Sequence, residues 1–259
     1  LEPVQWNAVN QVIVMSKDPQ VKEPLIKAVD NTMSNNQIAD MAEVTLKSQD
    51  ELSALKIIYP GMAQRDVLNS FRDLRTKLLD RTKGKNFVLL VSSLSVGGGS
   101  SFVALNMAAS FALDERKTAV YIDCNLEHSF ANELLQSGAD FGLMEYLDDP
   151  TLDLKDIIYS AGIPRVRVIP PGTGGDTSVE RLSSPRMSTL ISSLKQRYPD
   201  RFVVLDVPPV SESSLARILS EVADMAVLVV PFGKVTPNQV LAGVDAVGEE
   251  KFAGLVFNN

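Results

Sequence analysis

From residue 86 onward the chain alternates short apolar runs with longer amphipathic ones. Residues 87–91, 119–122, 166–169, 202–205, 226–230 and 254–257 are runs dominated by Val, Ile, Leu, Phe and Ala. Runs this short, with little polar alternation, are the pattern of strands covered on both faces. Between them, 101–113, 131–137, 185–197 and 212–222 repeat apolar positions at helical spacing. Strand, loop, helix and strand in this order predict an α/β fold, a parallel sheet flanked by helices on both faces.

Upstream, Val67, Phe71, Leu74 and Leu78 share one side of a helix expected to run from Asp66, its predicted cap, to about Leu79. Arg72 and Arg75 lie three apart on it and point in similar directions. Tyr59, Pro60 and Gly61 are turn chemistry. They divide the chain into an accessory segment, 1–60, of unassigned role and a domain, 61–259. Within the segment, 12–15 predicts a short strand and 21–33 a helix with Leu25, Ile26 and Val29 on its apolar side, broken by Asn and Ser at 34–36.

Composition narrows the classes. With 45% hydrophobic and 22% charged residues over 259 positions, the chain can bury a core without disulfides or metal. The formal net charge of -7, with no stripe of Lys and Arg, argues against nucleic acid, because neutralising phosphates supplies most of that affinity. The single cysteine, Cys124, excludes an intrachain disulfide and fits a reducing compartment. The single histidine, His128, has too few companions for a zinc site and reads as a surface residue. No run reaches the ~18 apolar residues of a membrane span, and no signal-peptide pattern is visible, so a cytoplasmic location is expected. The chain opens at Leu1 rather than Met, as a fragment does.

The loop after the first of these strands carries the chemistry. Gly97, Gly98, Gly99, Ser100, Ser101 and Phe102 lead from a strand into a helix. Glycines let backbone N–H groups converge on an anion, and the helix N-terminus adds favourable dipole charge. Ser101 is placed to help hold Mg²⁺. The six residues are therefore the candidate phosphate-binding set.

Residues 92–109 (SSLSVGGGSSFVALNMAA) resemble the Walker A segment of the bacterial tyrosine kinases, a branch of the deviant P-loop ATPases. Residues 119–127 (AVYIDCNLE) resemble that family's second Walker motif, a strand ending in Asp-x-Asp-Leu-Arg. Residues 202–210 (FVVLDVPPV) are similar to its Walker B segment. The segments 142–147 (GLMEYL), 182–187 (LSSPRM) and 254–258 (GLVFN) resemble further landmarks, in the same order, from about residue 65 to the end. Residues 69–75 (NSFRDLR) resemble its Glu-x-x-Arg-x-x-Arg motif, which implies an oligomer interface through Arg72 and Arg75, with Asn69 in place of the acid.

The departures matter as much. The Walker lysine falls at Ser100, and the earlier lysine of partition-type ATPases falls at Ser95. The second aspartate of Asp-x-Asp is Asn125 and the following arginine is Glu127, whereas Asp123 and Asp206 are retained. Phosphoryl transfer needs cations around the β- and γ-phosphates. Losing one charge-assisted contact, worth roughly 1.5–3 kcal/mol, weakens ATP binding. It harms transfer more, since transition-state contacts weigh directly on rate. Lys83 and Lys85 precede the first of these strands, at the far edge of the sheet, and Lys234 lies on the carboxyl edge as a solvated loop residue.

Asp123 and Asp206 have two readings. Functionally, with Ser101, they hold Mg²⁺ and orient the attacking hydroxyl. Structurally, they cap helices or satisfy loop N–H groups. The family's kinases autophosphorylate a C-terminal tyrosine cluster, and here the tyrosine nearest the end is Tyr198. The resemblance implies a role in exopolysaccharide or capsule assembly, as a homo-oligomer beside an inner-membrane polysaccharide co-polymerase that regulates chain length. The first expectation is a catalytically impaired regulatory subunit binding ATP or ADP and Mg²⁺ weakly. The alternatives are an active tyrosine autokinase, or a partition or division-site type ATPase. The acidic charge and the lack of a basic patch or terminal amphipathic helix speak against the last.

Overall fold

The computed structural model describes residues 9–13, 45–135, 138–173 and 178–258, so the helix expected at 21–33 lies outside the described residues. The first strand is β1 (Val9–Ile13), overlapping the one expected at 12–15. A short helix α1 (Gln49–Ala54) follows, started by a capping box between Ser48 and Glu51. Next comes α2 (Arg65–Arg81), with Val67, Phe71, Leu74 and Leu78 on its buried side. Its cap position is Gln64, with no side-chain bond. Asp66 therefore does not cap this helix; it sits in the first turn, where its charge complements the helix dipole.

The α/β alternation continues through β2 (Val88–Ser93), α3 (Ser100–Ala112), β3 (Thr118–Asp123), α4 (Phe130–Leu134), α5 (Leu143–Asp148), β4 (Tyr159–Ser160), β5 (Val166–Ile169), α6 (Ser178–Leu182) and α7 (Pro185–Arg197). It ends with β6 (Arg201–Asp206), α8 (Leu215–Ser220), β7 (Met225–Pro231), α9 (Pro237–Val247) and β8 (Phe252–Asn258). Helix α8 is shorter than the pattern at 212–222 suggests. The N–H groups of Glu212 and Ser213 turn back onto the Pro209 carbonyl, so this stretch is a turn.

The strands form one sheet in the order β1-β8-β7-β2-β6-β3-β5-β4. The pairs from β8 through β5 are parallel. The expected parallel sheet is thus present, and both of its edges, β1 on β8 and β4 on β5, add an antiparallel pair. The physical reason at the β4 edge is length: residues 161–165 are too few for a crossover, so the chain can only double back. Strand β2 is central, with β6 on one side and β7 on the other. The carboxyl ends of β2, β3, β6, β7 and β8 gather at one edge of the sheet.

Alternate residues of each inner strand feed two cores. On one face, Leu89, Val91, Tyr121, Val204 and Val227 pack with residues of α2 and α3. On the other, Val88, Leu90, Val120, Leu205 and Leu228 pack with α5, α7 and α8. Burial on both faces is what turned these strands into unbroken apolar runs. Leu52, Ile57 and Ile58, which precede the turn at Pro60, belong to the same core as α2 and α3. One side chain fastens that stretch. Asn106 of α3, 1% exposed, accepts the Ile58 N–H at 2.7 Å and donates to the Lys56 carbonyl at 2.9 Å.

Asn106→Leu keeps the volume but strands the Ile58 N–H and the Lys56 carbonyl in an apolar core. Each such group costs about 1–3 kcal/mol. Urea unfolding should show a loss in that range or somewhat above, and an unchanged midpoint would contradict the clamp.

Candidate functional site

At the carboxyl edge, the β2–α3 turn wraps its backbone around a small concavity. Gly99 sits at φ 85 in the left-handed region and occupies the cap position of α3, so no side chain covers the helix start. The first N–H groups of a helix, here those of Ser100, Ser101 and Phe102, have no intrahelical acceptor. Gly98 is required by space: a Cβ there would lie 2.6 Å from the Ser93 Cβ and 2.9 Å from the Ser95 carbonyl oxygen. Gly99 is hemmed in by Asn258, whose side-chain nitrogen stands 2.1 Å from where a Cβ would be. The Asn258 amide donates to the Gly98 carbonyl at 3.0 Å, latching the end of β8 to the loop, while its own carbonyl oxygen is buried without a partner. The sequence reading did not single out Asn258. Its signal was present only as the last residue of the landmark at 254–258.

The loop opens into a cleft of ≈ 810 Å³ lined by Gly97, Gly98, Gly99, Ser100 and Ser101 together with residues 124–128, Pro208, Pro209 and Glu212. Five of the six expected phosphate-binding residues are thus brought together. Phe102 differs: its ring packs edge-on to Phe71 at 5.8 Å, and only its backbone N–H remains for a ligand. No lysine or arginine lines the cleft among the described residues, and the ionised side chains on its wall are Glu127 and Glu212. Lys234 is exposed outside this wall, and Lys83 and Lys85 lie at the opposite edge, ahead of β2. Cys124 also lines the cleft, but burial, Asp123 and Asp206 push its thiol well above the usual range, so it stays neutral.

Asp123 and Asp206 sit side by side behind the loop, in register across β3 and β6, both fully buried. Their partners differ. Asp123 accepts the Asn125 N–H at 2.9 Å on one oxygen, and the Ser129 hydroxyl at 2.9 Å and the Ala131 N–H at 3.0 Å on the other. It staples the 124–131 loop, and Asn125 in turn accepts the His128 N–H. Asp206 accepts the Tyr121 hydroxyl at 2.6 Å on Oδ2, while Oδ1 has no hydrogen-bond partner. Burial raises the carboxyl of Asp206 well above the usual range and the Asp123 charge raises it further, with Ser101, Tyr121 and Ser100 pulling it partly back. Burial also raises Asp123, less so, because its N–H and hydroxyl donors favour the charged form.

The fit to a Mg-bound nucleotide is therefore one-sided. The uncapped helix start and the glycine turn suit a phosphate chain, and Ser101 offers a hydroxyl for a hydrated divalent cation, whereas Asp206 lies fully buried behind the wall. No lysine or arginine among the described residues stands beside them.

No family model matches the chain. Tyrosine-protein kinase CpsD of Streptococcus agalactiae is 27% identical over 191 residues, covering 73% of this chain and 81% of its own length. Tyrosine-protein kinase etk of Escherichia coli (strain K12) is 27% identical over 174 residues, 67% of this chain but 23% of that protein. Among solved structures, the kinase domain of the Escherichia coli tyrosine kinase ETK aligns with a TM-score of 0.68 at 21% identity, covering 90% of this chain and 95% of that one. The chain is a relative of the bacterial tyrosine kinases.

In this relative, the two arginines of α2 have different surroundings. Arg75 is half-buried and donates to the Ser110 carbonyl near the end of α3 at 2.6 Å. Arg72 is partly exposed, and its guanidinium makes no hydrogen bond or ion pair among the described residues. The remaining landmarks have structural uses. Glu145 starts α5 by accepting the Gly142 N–H at 2.7 Å and holds the 170–173 turn through the Thr173 N–H at 2.8 Å. Arg186 lies 4.2 Å over the Tyr146 ring and donates to the Tyr146, Asp149 and Leu152 carbonyls.

Two tests follow from this geometry. Gly99→Ala combines a left-handed backbone, costing roughly 1–2 kcal/mol for a residue with a Cβ, with a collision against Asn258. The double variant with Asn258→Ala should recover part of the lost melting temperature, and strict additivity would contradict the contact. The second test concerns pH. Both folded aspartates titrate above their unfolded value of about 3.9. The native state then binds more protons, and stability falls as pH rises above that value. Asp206→Asn removes the charge and keeps an acceptor for Tyr121. Urea unfolding should show the variant ahead of the parent by more than ~1 kcal/mol at pH 8, with the gap closing toward pH 4.

Proposed function

We propose that this chain is a regulatory relative of the bacterial tyrosine kinases in exopolysaccharide or capsule assembly, one that binds Mg·ATP or Mg·ADP weakly and transfers phosphate poorly. The observation that carries the reading is the ≈ 810 Å³ cleft whose described wall holds Glu127 and Glu212 but no lysine or arginine. On this reading a nucleotide's β- and γ-phosphates meet backbone N–H groups and serine hydroxyls, with no lysine or arginine beside them among the described residues. Such donors orient a phosphate chain but do not neutralise the charge that develops during transfer. Mg²⁺, when bound, supplies part of that neutralisation. Ser101 and Asp206 are the residues proposed to hold it, with Asp123 acting behind them as the staple of the neighbouring loop.

On this reading the chain works as a homo-oligomer on the cytoplasmic side of the inner membrane, docked to a polysaccharide co-polymerase. Arg72 is the side chain proposed to reach a neighbouring copy, and Arg75 braces its helix from within. No helix among the described residues is long and apolar enough to cross a membrane. The net charge of -7 gives nucleic acid no footing. Residues 1–60 are proposed as an accessory segment, tied at its end to α3 by Asn106. A second reading, an active autokinase, draws support from the unpartnered oxygen of Asp206, which is where a working metal carboxylate keeps a free lone pair.

Calorimetry with Mg·ADP and Mg·ATP separates the two. The native chain is expected to bind weakly, and Ser100→Lys to tighten binding by about tenfold or more, the equivalent of a charge-assisted contact of roughly 1.5–3 kcal/mol. Tight binding with autophosphorylation by the unmodified chain would overturn the regulatory reading.

A further inference from the structure

Tyr121 carries a hydroxyl between the apolar Val120 and Ile122 of β3, and it is the largest of the fully buried side chains among the described residues. It faces the core shared by α2 and α3. Its hydroxyl donates to Oδ2 of Asp206 at 2.6 Å. Asp123, two residues further along the same strand, needs nothing from it, since both of its oxygens are satisfied by the loop it staples.

The bond has a geometric consequence. A carboxyl group at the end of a strand can turn about its side-chain torsions, and Tyr121 is the donor that fixes Oδ2 of Asp206, while the Ser101 and Ser100 hydroxyls also act on the carboxyl. Anchoring Oδ2 on Tyr121 leaves Oδ1 without a donor at full hydrogen-bond geometry, and the hydroxyls that act on the carboxyl besides Tyr121 are those of Ser101 and Ser100 at the start of α3. Asp206 is fully buried, behind the helix start that lines the cleft. An apolar residue at position 121 would leave the carboxyl free to turn toward Asp123 or away from the loop.

We propose that Tyr121 is a positioning residue: it holds Asp206 so that Oδ1 faces Ser101 as the acceptor for a divalent cation carried in with a nucleotide. This rests on the nucleotide reading of the cleft. It adds to that reading a residue from inside the sheet that touches neither ligand nor metal.

The experiment is a double-mutant cycle of Tyr121→Phe and Asp206→Asn, in the native chain and in Ser100→Lys. ADP binding is measured by calorimetry with Mg²⁺ and with EDTA, and the ligand-free melting temperature is recorded for each variant. Tyr121→Phe should leave ADP affinity in EDTA unchanged and cut the gain conferred by Mg²⁺ by about tenfold, the size of a charge-assisted contact. In the Asp206→Asn background the same substitution should have no effect on the Mg²⁺ gain, a coupling that a general loss of stability does not produce. An Mg²⁺ gain that Tyr121→Phe leaves intact, or reduces equally in both backgrounds, overturns the role of Tyr121 alone. ADP binding absent from both parent chains overturns the nucleotide reading and the Tyr121 role with it.

Discussion

Two carboxylates buried side by side at the carboxyl edge of the sheet set the terms for everything around them. Asp123 and Asp206 are paired in register and shut off from water, an arrangement that is costly unless each charge is met by donors. The fold meets them unequally. Asp123 consumes two backbone N–H groups and a serine hydroxyl and in return fixes the loop that forms one wall of the cleft. Asp206 is met by the Tyr121 phenol on Oδ2, with the Ser101 and Ser100 hydroxyls also acting on the carboxyl, and its Oδ1 has no donor at full hydrogen-bond geometry.

Helix α3 connects that site to the rest of the molecule. Its N-terminus is uncapped and faces the cleft. Its C-terminus is closed by two guanidinium groups, Arg75 on the Ser110 carbonyl and Arg165 on the Ala112 carbonyl at 2.6 Å. Cations at the C-terminal end complement the helix dipole, while the N-terminal end keeps its positive end for an anion. In the middle, Asn106 ties the helix to the segment at 56–58. One helix thus begins at the glycine turn, contacts the arginine-bearing α2, and holds the 56–58 segment.

The charge balance of the cleft runs against the shape of its backbone. The glycine turn keeps the geometry of an anion cradle, with Gly98 and Gly99 enforced by contacts that a side chain would break. Among the described residues, the side chains around it bring two glutamates and no lysine or arginine. The backbone shape is locked by packing against Ser93 and Asn258, whereas no contact of that kind fixes the charge of a side chain at position 100. This separation of shape from charge is why the regulatory reading is preferred over the catalytic one.

The linear chain by itself determined the layered α/β plan, because strands buried on both faces must read as short apolar runs and amphipathic helices as spaced ones. It also marked the run from Gly97 to Ser101, between a strand and a helix, as the candidate phosphate turn, with a serine at position 100. What it left open depended on contacts between residues far apart. The roles of Asp123 and Asp206 look alike in the two motifs, and only tertiary structure shows that one is saturated and the other half bare. Tyr121 reads as a strand residue until its hydroxyl is seen against a carboxylate 85 positions away. Asn258 reads as the end of a strand until it meets Gly98 across 160 positions. The antiparallel edges and the empty cap of α2 escaped for the same reason. Periodicity records which side of an element is buried, but not which partner lies there, and hydrogen bonds between distant polar groups leave no periodic trace.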